Sequence, residues 1–152
     1  MRFTLLMISL AAMPAVLLHD DVPVTVIARD VVATAFAKGI PLVETGDYKI
    51  HASRRDGPGV AEIHTRDTDI AYVLRGSATL VTGGTAVDLK SIAPEELRGA
   101  AITGGETRKL VPGDVVVIRN GVPHWFKEVQ PPFLYYVVKV RQAEGSTTKG
   151  GM

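Results

Sequence analysis

From Tyr48 to Val140 the chain is cut into short, apolar, β-branched runs, most of them ended by glycine or proline. The runs are Val60–Thr65, Asp69–Leu74, Ala78–Val81, Thr85–Leu89, Thr107–Val111, Val115–Ile118, His124–Val129 and Phe133–Val140. Between them stand turn sequences: Arg66-Asp67-Thr68, Gly83-Gly84, Pro112-Gly113-Asp114, Asn120-Gly121 and Pro131-Pro132. Upstream, Tyr48, Ile50 and Ala52 alternate with Lys49, His51 and Ser53, the two-residue period of a half-buried strand. Asp56-Gly57-Pro58-Gly59 then turns the chain. Runs of this length are strands, and many of them at even spacing indicate a sandwich or a closed barrel. Gly83-Gly84 predicts a hairpin between the runs on either side of it.

The flanks read differently. Val22–Ile27 is short and β-branched and predicts an edge strand. Asp30 reads as a helix cap before Val31, Val32, Ala35 and Phe36, with Gly39 and Pro41 as the stop. Lys90–Ala101 breaks the strand rhythm and predicts a loop insertion with one helical turn at Pro94-Glu95-Glu96-Leu97. Met1–Leu18 has Arg2 as its only charge and is otherwise apolar apart from Thr4 and Ser9. That pattern predicts a signal peptide and an exported, periplasmic or secreted protein. No small-x-small triplet precedes His19, and a retained anchor is the alternative. The run is marginal for a membrane span and contains Pro14, so no stable span is expected. Gln142–Met152 is polar and glycine-rich and reads as a disordered tail. The barrel then occupies residues 22–141, which is one domain in a chain of 152.

Composition removes several kinds of chemistry. There is no cysteine, so disulfides, thiolate ligands and cysteine nucleophiles are excluded. The net charge is +1 with the basic residues scattered, which argues against nucleic acid as a partner. Neither a glycine-rich phosphate loop nor a serine–histidine–acid triad is present.

Glu62 and His64 lie two apart on a predicted strand and leave the same face. Asp69 opens the next strand after a tight connection, where it can face the same space. Two carboxylates and an imidazole inside a barrel are costly unless partnered. A divalent ion meets that cost, and nitrogen with oxygen donors suits zinc, iron, manganese, nickel or copper. On spacing alone a second reading stands level with it: Glu62 and Asp69 as solvated rim residues, with His64 incidental. Asp67 replaces Asp69 in this set if the turn is wound differently.

Downstream, the stretch from Gly113 to His124 places a histidine at the start of a strand after a tight turn. Here the chain resembles the cupin superfamily, over roughly Tyr48 to Val140. In the first cupin motif His64 takes the second histidine position. Four residues separate it from Asp69, and six separate Asp69 from Gly76. Gly113, Gly121 and His124 match the second motif, with Arg119 where proline is usual. Glu62 stands where the first histidine would, Asp69 where the glutamate would, and Glu128 where an asparagine often follows. The resemblance implies an all-β fold, an antiparallel jelly-roll barrel, with a short N-terminal helix. It implies one divalent metal held by Glu62, His64, Asp69 and His124, two imidazoles and two carboxylates. Such a set lowers the redox potential of a metal relative to three histidines.

Other residues carry weaker signals. His51 can line the barrel mouth or sit on the surface. One of Trp125 and Phe126 walls the cavity, and one of Tyr135 and Tyr136 faces inward. Arg54 and Arg55 pose the same parity question, and the inward one could hold a substrate carboxylate. Tyr72 shares parity with Ile70 and Leu74 and belongs to outer packing. His51, Tyr136 and Glu128 are the candidate proton-transfer groups. The functional expectation is a metal-dependent enzyme acting on a small organic substrate, in the lyase, isomerase or dioxygenase class. Its alternative is a non-catalytic module that binds a small molecule. A homodimer through an outer sheet is the expected assembly.

Overall fold

The computed structural model of the chain describes residues 16–17 and 23–143. In order the elements are β1 (Val16–Leu17), α1 (Arg29–Lys38), β2 (Pro41–Glu44), β3 (Tyr48–Arg55), β4 (Ala61–His64) and β5 (Asp67–Thr82). There follow β6 (Thr85–Val87), β7 (Lys90–Ala93), β8 (Glu96–Gly99), β9 (Ala101–Thr103), β10 (Glu106–Leu110), β11 (Val115–Ile118) and β12 (His124–Arg141).

Two long strands organise the rest. β5 and β12 pair antiparallel along most of their length, from Asp67 opposite Arg141 to Thr82 opposite His124. β5 carries β10 and β11 on its other edge, and β12 carries β3 and β4. Register shifts between Phe126 and Glu128 and between Gln130 and Tyr135 bend the pair, as bulges do. The sheet therefore curls on itself into the antiparallel jelly-roll barrel that the strand pattern predicts, with one short helix.

Parity along these strands decides what the barrel encloses. Inward residues of one end form an apolar plug: Phe126, Phe133 and Tyr135 stack with ring centroids 5.1–5.6 Å apart, beside Val73, Leu80, Leu110 and Val137. Outside the sheet α1 covers a second cluster in which Phe36 meets Tyr136 edge to face. A third cluster gathers Ala61, Val81 and Ile102 with Trp125 packed on it. The other end of the barrel is not filled by apolar side chains, and the polar residues discussed below converge there.

Several sequence expectations are corrected. The runs around Gly76 are one strand, β5, and those around Pro131-Pro132 are one strand, β12. These residues bend the strands and do not end them. Gly83-Gly84 does not close a hairpin between its neighbours, because the end of β5 pairs with β10 while β6 pairs with β9 in a separate two-stranded sheet. Gly84 is needed for close approach, since a Cβ on it would stand 2.3 Å from the Thr103 carbonyl oxygen, while Gly83 takes a left-handed backbone at φ 73°. Lys90–Gly99 holds no helical turn. β7 and β8 form a hairpin about Pro94-Glu95, with Glu95 in the left-handed region at φ 65°. The wish of β4 for a partner wins here, since β8 pairs with it from Ala61 to His64.

At the N-terminal end, residues 23–27 form no strand, and Val24 and Val26 are 72% and 86% exposed. The helix is capped by Ala28 with no side-chain bond, while Asp30 lies inside the first turn, where a carboxylate favours the helix dipole. Of the apolar leader, all but Val16–Leu17 lies outside the described residues. Those two pair in parallel with Val43 and Glu44, a contact the leader reading does not anticipate. The tail from 144 onward also lies outside the described residues. Among the described residues no helix is long and apolar enough to cross a membrane.

Candidate metal centre

β4 sends Glu62 and His64 to the same inner face, and β12 begins with His124 directly opposite Glu62. That single cross-strand pair joins the two halves of the site. His124 is buried, and its Nδ1 lies 3.1 Å from the Val122 carbonyl oxygen. A proton on Nδ1 satisfies that contact and leaves the Nε2 lone pair facing the barrel. Glu62 Oε2 stands 3.8 Å from His124 Nε2 and 3.9 Å from His64 Nε2. The two imidazole centroids are 5.1 Å apart. One donor atom from each of Glu62, His64 and His124 lies within 4.8 Å of the others, the grouping that can hold a metal ion.

Asp69 reaches the same space from the inner face of β5. Its Oδ2 is 3.5 Å from His64 Nε2. Both of its oxygens accept hydrogen bonds from the Lys139 ammonium, at 2.9 and 2.8 Å. The same ammonium lies 2.8 Å from His64 Nε2. Lys139 is a residue that motif reasoning passes over. Its signal is strand parity: it follows Tyr135 and Val137 at two-residue steps and is the one charge in the run Phe133–Val140. Asp67, the alternative ligand, is instead 3.5 Å from Arg141 Nε and 3.9 Å from Lys49 Nζ.

Burial and neighbouring charge set the protonation of the centre. Burial, with Lys139 adding to it, lowers the His64 pKa, against the pull of Asp69. Burial also lowers that of His124, against its bond to Val122. Both rings are thereby held in the neutral, ligating form. Burial pushes the Glu62 carboxyl up, but neighbouring positive charge, Arg55 first, outweighs it and holds it below the usual carboxylate range. The trio thus presents two neutral imidazoles and one carboxylate.

These groups line a cavity of about 700 Å³. Arg55 is its inward arginine. Nε donates to the Tyr135 hydroxyl at 3.0 Å, Nη2 to Glu62 at 3.4 Å, and the guanidinium lies 4.6 Å from the Phe126 ring centroid. Arg54 turns outward to Asp56. Phe126 walls the cavity, and Trp125 packs outside, donating from Nε1 to the Gly59 carbonyl. His51 lines the cavity, with its pKa lowered by burial first and Lys139 second. Its Nε2 is 3.6 Å from Glu44 and has no hydrogen-bond partner among the described residues.

Two of the sequence candidates for proton transfer are placed elsewhere. Tyr136 faces α1, and Tyr135 is the tyrosine that lines the cavity. Glu128 is exposed and accepts from Thr79 at 2.8 Å, because the register shift after Phe126 turns it outward.

The donor set fits a divalent ion. Tetrahedral bonds of about 2.0–2.1 Å place neighbouring donors about 3.4 Å apart. Glu62 stands within about 0.5 Å of that spacing from each histidine, and the three donor atoms, which lie within 4.8 Å of one another, draw closer around an ion. Two imidazoles and a carboxylate are donors for zinc or for non-haem iron.

The family model described as "Cupin" matches residues 27–149. No curated protein sequence matches the chain. Among solved structures, a Bacillus halodurans protein is 14% identical over 82% of this chain and 86% of its own, with a TM-score of 0.57. A Sphingomonas hydroquinone 1,2-dioxygenase with 4-hydroxybenzoate bound is 14% identical over 69% of this chain and 65% of its own, with a TM-score of 0.50. KdgF from Halomonas is 20% identical over 68% of this chain and 78% of its own, with a TM-score of 0.48.

Proposed function

The chain belongs to the cupin family, and on that premise we propose that it is a metal-dependent enzyme acting on a small organic molecule inside the barrel. The observation that carries this reading is the convergence of Glu62, His64 and His124 at the head of an open cavity. Asp69, the fourth residue of the expected set, stands beside them with both oxygens bonded to Lys139. A divalent ion held there would supply Lewis-acid polarisation of a substrate oxygen, or a centre for oxygen chemistry.

The chain's own residues do the rest. Arg55, braced by Tyr135 and by the Phe126 face, is a fixed planar donor suited to a carboxylate or an oxygen-rich ring substituent. Ile118, Phe126 and Val137 give the cavity its apolar lining. His51, kept neutral and lining the cavity, is the group able to take up a proton from a bound molecule. Tyr135 is held protonated by burial, and its hydroxyl accepts from Arg55 Nε.

A panel of small organic acids and phenols, offered to metal-loaded and chelator-stripped protein, tests the reading. Turnover is expected only in the loaded protein and is lost in H124A. Ligand retention with no turnover across the panel would favour the binding module instead.

Assembly and location belong to the same reading. Ile70, Tyr72 and Leu74 of β5 lie beside Val115 and Val117 of β11, and all five are exposed. This apolar sheet face is the surface through which a homodimer would form. The apolar run Met1–Leu18 supports export.

A further inference from the structure

We infer that Lys139 is a resident cation that competes with the metal ion for the centre and holds Asp69 out of the ligand set. This rests on reading the centre as a metal site. The ammonium has three N–H donors, and all three are used: Asp69 Oδ1 at 2.9 Å, Asp69 Oδ2 at 2.8 Å and His64 Nε2 at 2.8 Å. The pairing is built into the sheet, since Lys139 and Asp69 are direct cross-strand partners of β12 and β5. The Lys139 and Asp69 side chains are only 14% and 10% exposed, so little water is at hand to replace either partner.

The His64 Nε2 lone pair is the one a metal ion needs. It faces both Glu62 Oε2 and the Lys139 ammonium, at 3.9 and 2.8 Å. One lone pair cannot serve two cations. With Lys139 in place, the acidic centre is charge-balanced and already assembled without an ion. Entry of the ion requires Lys139 to release His64, although it can keep Asp69. Removing the ammonium frees the His64 lone pair and also frees the Asp69 carboxylate to become a fourth donor. Lys139 is therefore a positioning residue that sets metal affinity and ligand number.

Zinc binding by the full chain, titrated against a chromophoric chelator, tests this without any activity assay. K139M should bind zinc at least roughly tenfold more tightly than the natural protein, about 1.4 kcal/mol. K139M leaves Asp69 buried without its partner, so D69N/K139M is measured beside it. The double variant carries the same net charge as the natural protein, and tighter binding by it reports the freed His64 lone pair alone. It should fall between the natural protein and K139M. Natural protein that binds zinc while neither variant binds it more tightly would overturn the role of Lys139 and leave the metal site standing. Absence of zinc binding in all three would overturn both.

Discussion

Replacing Gly76 with alanine probes how the two long strands cross. Gly76 has φ 75°, and a Cβ built there would stand 2.6 Å from the Pro132 carbonyl oxygen, 2.7 Å from that of Gln130 and 3.1 Å from the Phe133 Cα. All three are backbone atoms of β12 at its bend, next to Phe133, which is fully buried. Two costs follow. The left-handed backbone costs an L-residue about 1–2 kcal/mol. The overpacking, which no side-chain rotation can relieve, costs about 1–3 kcal/mol more. Gly113 separates the two, since its φ is 96° but nothing lies within 4 Å of its Cβ position. G113A should therefore lose only the backbone part, and G76A should be less stable than it by about 1–3 kcal/mol. Urea unfolding of the two variants beside the natural protein measures both values. Equal losses in G76A and G113A would refute the claim that β12 closes over Gly76.

The metal-free protein should lose stability on acidification from about pH 7.5 to 5.5, where histidine titrates. His51, His64 and His124 have pKa values lowered below the unfolded value of 6.5, so the unfolded chain binds more protons and stability falls as pH drops through that value. Each histidine contributes at most about 1.4 kcal/mol per pH unit, and thermal melts that stay level or rise over this range would contradict the account. Y72E should convert a dimer to monomer in sedimentation velocity at micromolar concentration, with a melting temperature lowered only by the loss of association. A natural protein that sediments only as monomer would remove the proposed interface. Mass spectrometry of protein recovered from its own cells should find a mature chain beginning near His19 in an exported fraction, and an intact Met1 in a soluble cytoplasmic fraction would defeat the export reading.

Much of the fold was legible because barrel strands alternate and their turns use glycine and proline. β3, β10 and β11 fall where period and punctuation place them, and Glu62, His64 and His124 converge because two-residue spacing and strand order determine facing. What misled were residues with two physical uses. Gly76 and Pro131-Pro132 read as strand ends and serve as bends, while Gly83-Gly84 reads as a hairpin and Gly84 serves a close approach to Thr103. The segment from Lys90 to Gly99 has helix-tolerant residues, and only the open edge of β4, a long-range fact, makes it a hairpin. The tyrosine choice turned on the register of β12, which local pattern does not reveal. A lone lysine in a strand reads as a surface group unless its parity is followed, and Asp69, the partner of Lys139, lies far away in sequence.

Metal stoichiometry tests the central claim most directly. The full chain, stripped with chelator, reloaded with zinc or iron(II) and desalted, is analysed for bound metal beside H64A and H124A. The account predicts about one ion per natural chain and no stoichiometric metal in either variant, since each removes one of the nitrogen donors on which such a site depends. A full complement of metal retained by H64A or H124A, or none in the natural protein, would contradict it.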